Sequence, residues 1–442
     1  MRVYATGEVK KAIKELLTVR VPRAIRFGGK VHWKFTRRSF FDGERFPTGF
    51  LDDVVELLQA TGLNVKVQFE EERLPSRDPV PLPLELKPFQ RRAIDRAVEM
   101  KRAVIYGPVS SGKTIIAAGI AATLGYPFLY LTHRRDIARQ SFEVFKKLLP
   151  DRNIQLVMGS KRLTQNASVV ATFQSLRDAD LLDFPILLCD ESHHVVSEVF
   201  SRVVSNCNAP YRFGFTGTPR GRSDALDFVM EKLIGPVLQI TDFEEVKREG
   251  LVCDVRFVMV VVNEPLGFSN PQDFHEAEET FIVGGSLRNE LIKKICETTL
   301  DGVVLVVVRR IEHGRALSEM IPDAIYVDSK SPLNLRDKVR KLERGVVIAT
   351  GIVDEGIDNK HIALMVNAAG GKSSILTHQR LGRGLRFKEG KTLVFVDFVD
   401  LGHPLLFKHS RKRYSVYKKL GEVTFLDLNG KELQNPFGRR RA

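Results

Sequence analysis

The sequence predicts an α/β protein in which two consecutive parallel-sheet domains follow a small N-terminal α+β domain. Three observations predict it. Short β-branched runs alternate with helical patterns from residue 103 onward, the signature of βαβ units whose strands are buried on both faces. The alternation comes in two series of similar length, and a chain of 442 residues exceeds what one ordinary core accommodates. The stretch ERLPSRDPVPLP at 72–83 disfavours both helix and central strand and reads as an extended linker. The expected divisions are 1–75, a linker at 76–84, and parallel-sheet domains at 85–238 and 239–442, the last with a basic tail.

In the N-terminal domain, KVHWKFTRRSFF (30–41) alternates Val31, Trp33 and Phe35 with His32, Lys34 and Thr36, as a strand with one apolar and one basic face would. Lys34, Arg37 and Arg38 are its candidate phosphate contacts. The first sheet series is AVIY (103–106), FLYLT (128–132), SVVATF (168–173), PILLCD (185–190) and RFGFTGT (212–218), separated by helical patterns such as RRDIARQSFEVFKKLL. The second is VRFVMVVV (255–262), VVLVVV (303–308), AIYVD (324–328), VVIAT (346–350), ALMVNAA (363–369) and TLVFVDF (392–398). Residues 263–285 fit no motif. The basic tail, KHSRKRYSVYKKL and then FGRRRA, has two open readings, a grip on DNA or disorder.

A net charge of +14 and a pI near 9.6 favour a polyanionic partner. The four cysteines are scattered without a CxxC pair and read as reduced core thiols. No apolar run approaches the ~18–20 residues of a membrane span, and the first residues lack a secretory h-region. A cytoplasmic monomer with no membrane partner is expected.

GPVSSGKT (107–114) fits the phosphate-loop pattern between a strand and a helix. Gly107, Ser110, Ser111 and Gly112 would let backbone N–H groups face a phosphate at a helix N-terminus. Lys113 would reach the β- and γ-phosphates of ATP, and Thr114 would hold Mg²⁺. In such a fold a later apolar strand ends in an acid that orients the metal, which suits Asp190; Glu191 beside it is then placed as general base. Zinc bound by Asp190, His193 and His194 is disfavoured, because adjacent histidines point to different sides of a helix or strand. His133, Arg134, Arg135 and Arg139 follow FLYLT as a rail for phosphates, with Thr172 and Gln174 adding neutral hydrogen bonds.

The order GPVSSGKT, DESHH (190–194), FTGTP (215–219), IATGIVDEGID (348–358) and HQRLGRGLRF (378–387) resembles superfamily two helicases of the DExH type, most like phage UvsW-type branch-migrating helicases and their XPB-like relatives. The resemblance implies two RecA-like domains with ATP bound between them and a ratcheting grip on one strand. It also implies that Gln90, beside Phe89, reads the adenine edge. His193, Thr216 and Thr218 would couple the nucleotide to the rest of the motor, and Gly356 and Asp358 would face ATP from the second domain. Gln379, Arg383 and Arg386 match Q-x-x-G-R-x-x-R, in which the two arginines share a helix face and serve as candidate fingers. Single-stranded, forked or branched DNA is the expected partner. RNA remains the alternative, as does a translocating subunit of a restriction system.

Overall fold

The computed structural model describes residues 1–27, 30–68, 74–159, 166–176, 183–217, 227–264, 273–297, 301–350, 359–372, 381–382 and 384–438, apart from the side chains of 22–34 and 333. Two compact units divide it, Met1–Gly107 with Gly112–Thr241, and Pro108–Ser111 with Asp242–Ala442.

Unit one opens with helix α1 (Gly7–Leu16), strands β1 (Thr18–Phe27) and β2 (Lys30–Ser39), and helix α2 (Leu51–Ala60). β1 and β2 form an antiparallel hairpin in which Arg20 faces Arg37 and Pro22 faces Phe35. Then come α3 (Pro88–Met100), β3 (Arg102–Tyr106), α4 (Lys113–Leu124), β4 (Phe128–Thr132), α5 (Arg135–Leu148), β5 (Ile154–Val157), β6 (Ser168–Thr172), β7 (Ile186–Asp190), α6 (Glu198–Asn206), β8 (Tyr211–Thr216) and β9 (Val237–Gln239). Among the described residues β3 to β9 make a parallel seven-stranded sheet in the order β5-β6-β4-β7-β8-β3-β9.

Side-chain alternation along these strands sorts the core into two layers. Phe128, Tyr130, Ile186 and Leu188 face α3, α4 and α5. Leu129, Leu131, Leu187 and Cys189 face the other way and pack with Ile13, Leu17, Phe40, Phe50 and Leu58. The N-terminal segment therefore covers one face of the sheet instead of closing a core of its own. Gly49 makes this close approach possible, since a Cβ there would run into the backbone of Lys232. Asp53 and Lys232 form an ion pair at the same place.

Unit two contains β10 (Asp254–Val262), β11 (Val303–Val307), β12 (Ile325–Val327), β13 (Gly345–Ala349), β14 (Ile362–Asn367), β15 (Thr392–Asp400), β16 (Val423–Leu426) and β17 (Glu432–Leu433). They form an eight-stranded sheet among the described residues, ordered β12-β13-β11-β14-β15-β10-β16-β17 and parallel except for the last pair. The basic run near the C-terminus is not a disordered tail: most of it lies in the helix Pro404–Tyr417, whose Arg413 and Tyr417 are buried against the sheet. Its charge pattern hid a buried face of Leu406, His409, Ser410, Arg413, Val416 and Tyr417.

All four cysteines are buried. Among the described residues no helix is long and apolar enough to cross a membrane.

Candidate active site and nucleic-acid face

Neighbouring strands deliver three segments to one place. β3, β8 and β7 are consecutive in the first sheet, so the loop after Tyr106, Thr216 and Asp190 leave it side by side at the C-terminal strand ends, where α/β sheets bind ligands. The Gly107 N–H points to the Thr216 carbonyl at 3.4 Å. Ser110 (φ 65°) and Gly112 (φ 74°) take left-handed backbone that curls the chain into α4. At Gly112 a Cβ would collide with the Gln90 side-chain amide, so only glycine fits. The Ser111 hydroxyl pins the loop by donating to the Pro108 carbonyl at 2.8 Å. Gln90 is buried beside Phe89, and its Oε1 accepts the Lys87 N–H at 3.1 Å, capping α3.

Lys113 opens α4, and its ammonium donates to the Gly107 carbonyl at 3.2 Å. Burial pulls its pKa below the usual lysine range, opposed by the charges of Glu191 and Asp190. Asp190 ends β7, and Glu191 follows in left-handed backbone at φ 45°, a conformation that costs a non-glycine residue about 1–3 kcal/mol. Both carboxylates lie close enough to Lys113 for their charges to act on it. Burial and the neighbouring Glu191 charge push the Asp190 carboxyl up. Burial pushes Glu191 up as well, but the His193 hydrogen bond and the surrounding positive charge outweigh it and hold Glu191 ionised, below the usual carboxylate range. His193 Nδ1 lies 3.2 Å from both Glu191 Oε2 and Thr216 Oγ1, so one imidazole ties the acid pair to β8.

Two participants here had no sequence signal of their own. Tyr130 sits inside the apolar run FLYLT, yet its buried hydroxyl is within hydrogen-bond reach of Ser141, Thr114 and Asp190. Burial, then the Asp190 charge, raises its pKa. His194 packs between His193 and His133, with tilted rings whose centroids are 4.2 and 4.6 Å apart. An imidazole row thus joins Glu191 to the loop after β4.

β4 and β6 are also neighbours, with Thr132 opposite Thr172. Their ends bring His133, Arg134, Arg135, Thr172 and Gln174 around one cavity of about 410 Å³. Arg134 is held by Asp136 through Nε and Nη2 at 3.0 and 3.1 Å. Thr172 is 2% exposed and its hydroxyl pairs with Ser175 Oγ at 2.7 Å, so Ser175, not singled out by sequence, shares the polar wall. Arg139 stands exposed further along α5 and does not line this cavity.

On the hairpin the two basic candidates with described side chains diverge. Arg37 is exposed on the face that carries Phe35, itself 66% exposed. Arg38 turns to the other face, donates to the Val196 carbonyl at 2.8 Å and stacks over Phe40 at 4.9 Å, so it ties the hairpin down. The side chain of Lys34, and Thr218, Gly356, Asp358, Gln379 and Arg383 entirely, lie outside the described residues. Arg386 is exposed and lines a basic recess of about 700 Å³ in unit two with Arg340, Lys341, Lys360 and His361. Its backbone is fixed by a bridge to Val252 and by Lys391, which donates to its carbonyl at 3.0 Å.

Residues 83–221 match the family described as Type III restriction enzyme, res subunit. The chain is 25% identical to the DNA 3'-5' translocase XPB2 of Sulfurisphaera tokodaii over 77% of its own length and 88% of the relative's. It is 23% identical to the ATP-dependent DNA helicase uvsW of Enterobacteria phage T4, over 71% and 68% of the two chains. Haloarchaeal and budding-yeast relatives are longer, and the chain spans about half of each. Among solved structures, Saccharomyces cerevisiae Dbp5 bound to RNA aligns with a TM-score of 0.53 at 16% identity, over 78% of this chain and 94% of that one. The DNA-bound Type ISP restriction-modification enzyme LlaBIII aligns with a TM-score of 0.56 at 14% identity, over 76% and 30%. These likenesses establish the fold of paired parallel sheets. By its domain match and its curated relatives, the chain is similar to DNA helicases and translocases of the UvsW and XPB type.

Proposed function

We propose that the chain is an ATP-hydrolysing, Mg²⁺-requiring DNA helicase or translocase that acts on single-stranded, forked or branched DNA. The observation that carries the reading is the desolvated Lys113 ammonium under the Asp190–Glu191 pair at the end of the phosphate loop. Lys113 and the first amides of α4 would hold the β- and γ-phosphates. Glu191, kept ionised and oriented by His193, would accept a hydrogen bond from the attacking water. Thr114 and Asp190 would hold Mg²⁺, which when bound neutralises charge on the phosphate oxygens; a hydroxyl and a carboxylate that share Tyr130 as neighbour suit that hard cation. The finger role of Arg386 and the adenine role of Gln90 belong to the same proposal. So do the phosphate contacts of His133, Arg134, Arg135, Gln174 and Arg37.

The named activities of the archaeal and phage relatives support DNA as the partner. The restriction-subunit match at 83–221 favours a second reading, a translocating subunit that works beside a nuclease or methylase. Co-purification of such a partner would select it. The deciding assay compares ATP turnover with single-stranded, duplex, forked and four-way DNA and with RNA, at fixed salt. DNA is expected to stimulate more than RNA. Lys113→Ala is expected to abolish turnover while DNA binding persists, and undiminished turnover in that variant would remove the nucleotide site from 107–114.

A further inference from the structure

The middle member of the imidazole row, His194, has neighbours that reach two sites. Its ring packs against His193, which holds Glu191, and against His133, which lines the cavity of about 410 Å³. A third ring meets it edge-on, that of Phe200 on α6, with centroids 6.1 Å apart. Phe200 in turn stacks on Phe173 at 4.1 Å, and Phe173 directly follows β6, whose Thr172 lines the same cavity. The ends of β4 and β6 therefore converge on one imidazole by two routes. The His194 backbone is tied to the acid pair as well. Its N–H donates to the Glu191 carbonyl at 2.9 Å, and its carbonyl accepts the Ser197 N–H at 2.9 Å.

Two features distinguish this cluster from ordinary packing. His193, Phe173 and Phe200 are buried, and close-packed rings do not shift singly, so an occupant that fixes or moves His133 carries its neighbours with it. At the far end of the row, Glu191 holds left-handed backbone that persists only while its surroundings impose it. Such a residue has a relaxed alternative close in energy, which is what a switch requires.

We propose that His194 is a positioning residue through which a nucleic-acid strand in the cavity of unit one sets the placement of Glu191 against the nucleotide. The inference deepens the nucleotide and nucleic-acid readings above and rests on both. A phosphate held by Arg134, Arg135 and Gln174 fixes the His133 ring beside them. His194, braced from another side by Phe200, passes that constraint to His193, while its N–H holds the Glu191 carbonyl in the turn. Without a strand the row relaxes, and Glu191 leaves the geometry that orients water. The route works by ring contact, so no step in it depends on the charge of an imidazole.

The test measures, on the full-length chain, ATP turnover at saturating ATP and Mg²⁺ with and without the DNA that stimulates it most among those compared above. The readout is the stimulation ratio. Anisotropy of a fluorescent form of the same DNA gives its affinity, and the KM for ATP is read alongside. His194→Ala is expected to lower the ratio roughly threefold or more, with DNA affinity and KM changed by less than that. A purely structural defect lowers turnover with and without DNA alike and leaves the ratio in place. His194→Phe keeps a ring between His193 and His133 and is expected to restore the ratio. His194→Asn, suited to a half-buried position, carries the test if the alanine variant fails to fold, with the same loss expected. A wild-type ratio in the alanine or asparagine variant, or a His194→Phe chain as uncoupled as the alanine one, overturns the proposal. A wild-type chain that no DNA stimulates overturns the motor reading beneath it.

Discussion

Each unit buries an acid–base cluster beside its sheet, and the two clusters use the same chemistry to opposite ends. In unit two Asp397 receives Arg413 through Nε and Nη2 at 2.7 and 3.0 Å, the Tyr417 hydroxyl at 2.5 Å and the Asn367 amide at 3.1 Å. Burial pushes that carboxyl up, but Arg413 outweighs it and holds the pKa below the usual range. In unit one two carboxylates face one ammonium, Asp190 is pushed up, Lys113 is pulled down, and Glu191 sits in strained backbone. A cluster whose donors and acceptors match is a clasp. One whose side-chain charges do not match by themselves is arranged for something that brings charge with it.

The largest separation between the two should appear in Glu191→Gln and Arg413→Ala. Glu191→Gln is expected to cut ATP turnover about 10²–10⁴-fold, the usual worth of a general base, at a smaller cost in melting temperature than Arg413→Ala. Arg413→Ala should do the reverse. It strands Asp397 without its cation, a loss of about 3–5 kcal/mol, and unfolding in denaturant would read it. Because the Asp397 pKa is depressed in the folded chain, the stability it contributes is present above the ordinary aspartate pKa of 3.8 and is lost as pH falls through the folded value. A melting curve of Arg413→Ala that matches wild type would erase the distinction between clasp and site.

How much of this was legible in sequence follows from where each signal lives. Strand–loop–helix glycines and an acid at the end of an apolar run are local, so Lys113, Thr114, Asp190 and Glu191 could be singled out from spacing alone, and the alternation of runs gave both parallel sheets. The cavity behind His133 and Gln174 was half legible, because each motif is local while the pairing of β4 with β6 is not. Tyr130 was invisible, since a tyrosine in an apolar strand shows nothing of what its hydroxyl reaches. Arg413 misled for the converse reason. In a run of like charges, only packing tells which one is turned inward. Arg38 and Arg37 differ by one position and therefore by one face of a strand, a difference that register alone decides.

A smaller effect should come from Asp190→Asn, and its sign sharpens the comparison. Burial and Glu191 raise the folded pKa of Asp190 from 3.8 to about 6. Between those values the folded chain holds a proton that the unfolded chain has released, so stability falls as pH rises through that window and the loss is complete above it. Asparagine carries no such charge. The variant should therefore melt above wild type at pH 7–8, with the difference vanishing below about pH 4, while its ATP turnover collapses. A variant that melts below wild type at neutral pH would mean that Asp190 is as well satisfied as Asp397.

The smallest expected effect tests the tyrosine that links Asp190 to Thr114. Tyr130→Phe removes one buried hydroxyl and leaves the ring contacts with Phe145 in place, so stability should change by about 1 kcal/mol. If Thr114 and Asp190 hold Mg²⁺, the hydroxyl acts behind them, orienting the carboxylate, and its removal should raise the Mg²⁺ needed for half-maximal turnover about tenfold while leaving turnover at saturating Mg²⁺ nearly intact. The corresponding change in the clasp, Tyr417→Phe, also deletes a phenol that donates to a buried aspartate, at 2.5 Å, and should leave the Mg²⁺ dependence untouched. Two phenols with like partners and unlike consequences would place the metal on unit one. Equal Mg²⁺ curves for Tyr130→Phe and wild type would instead make Tyr130 a packing residue and remove the argument that pairs Thr114 with Asp190.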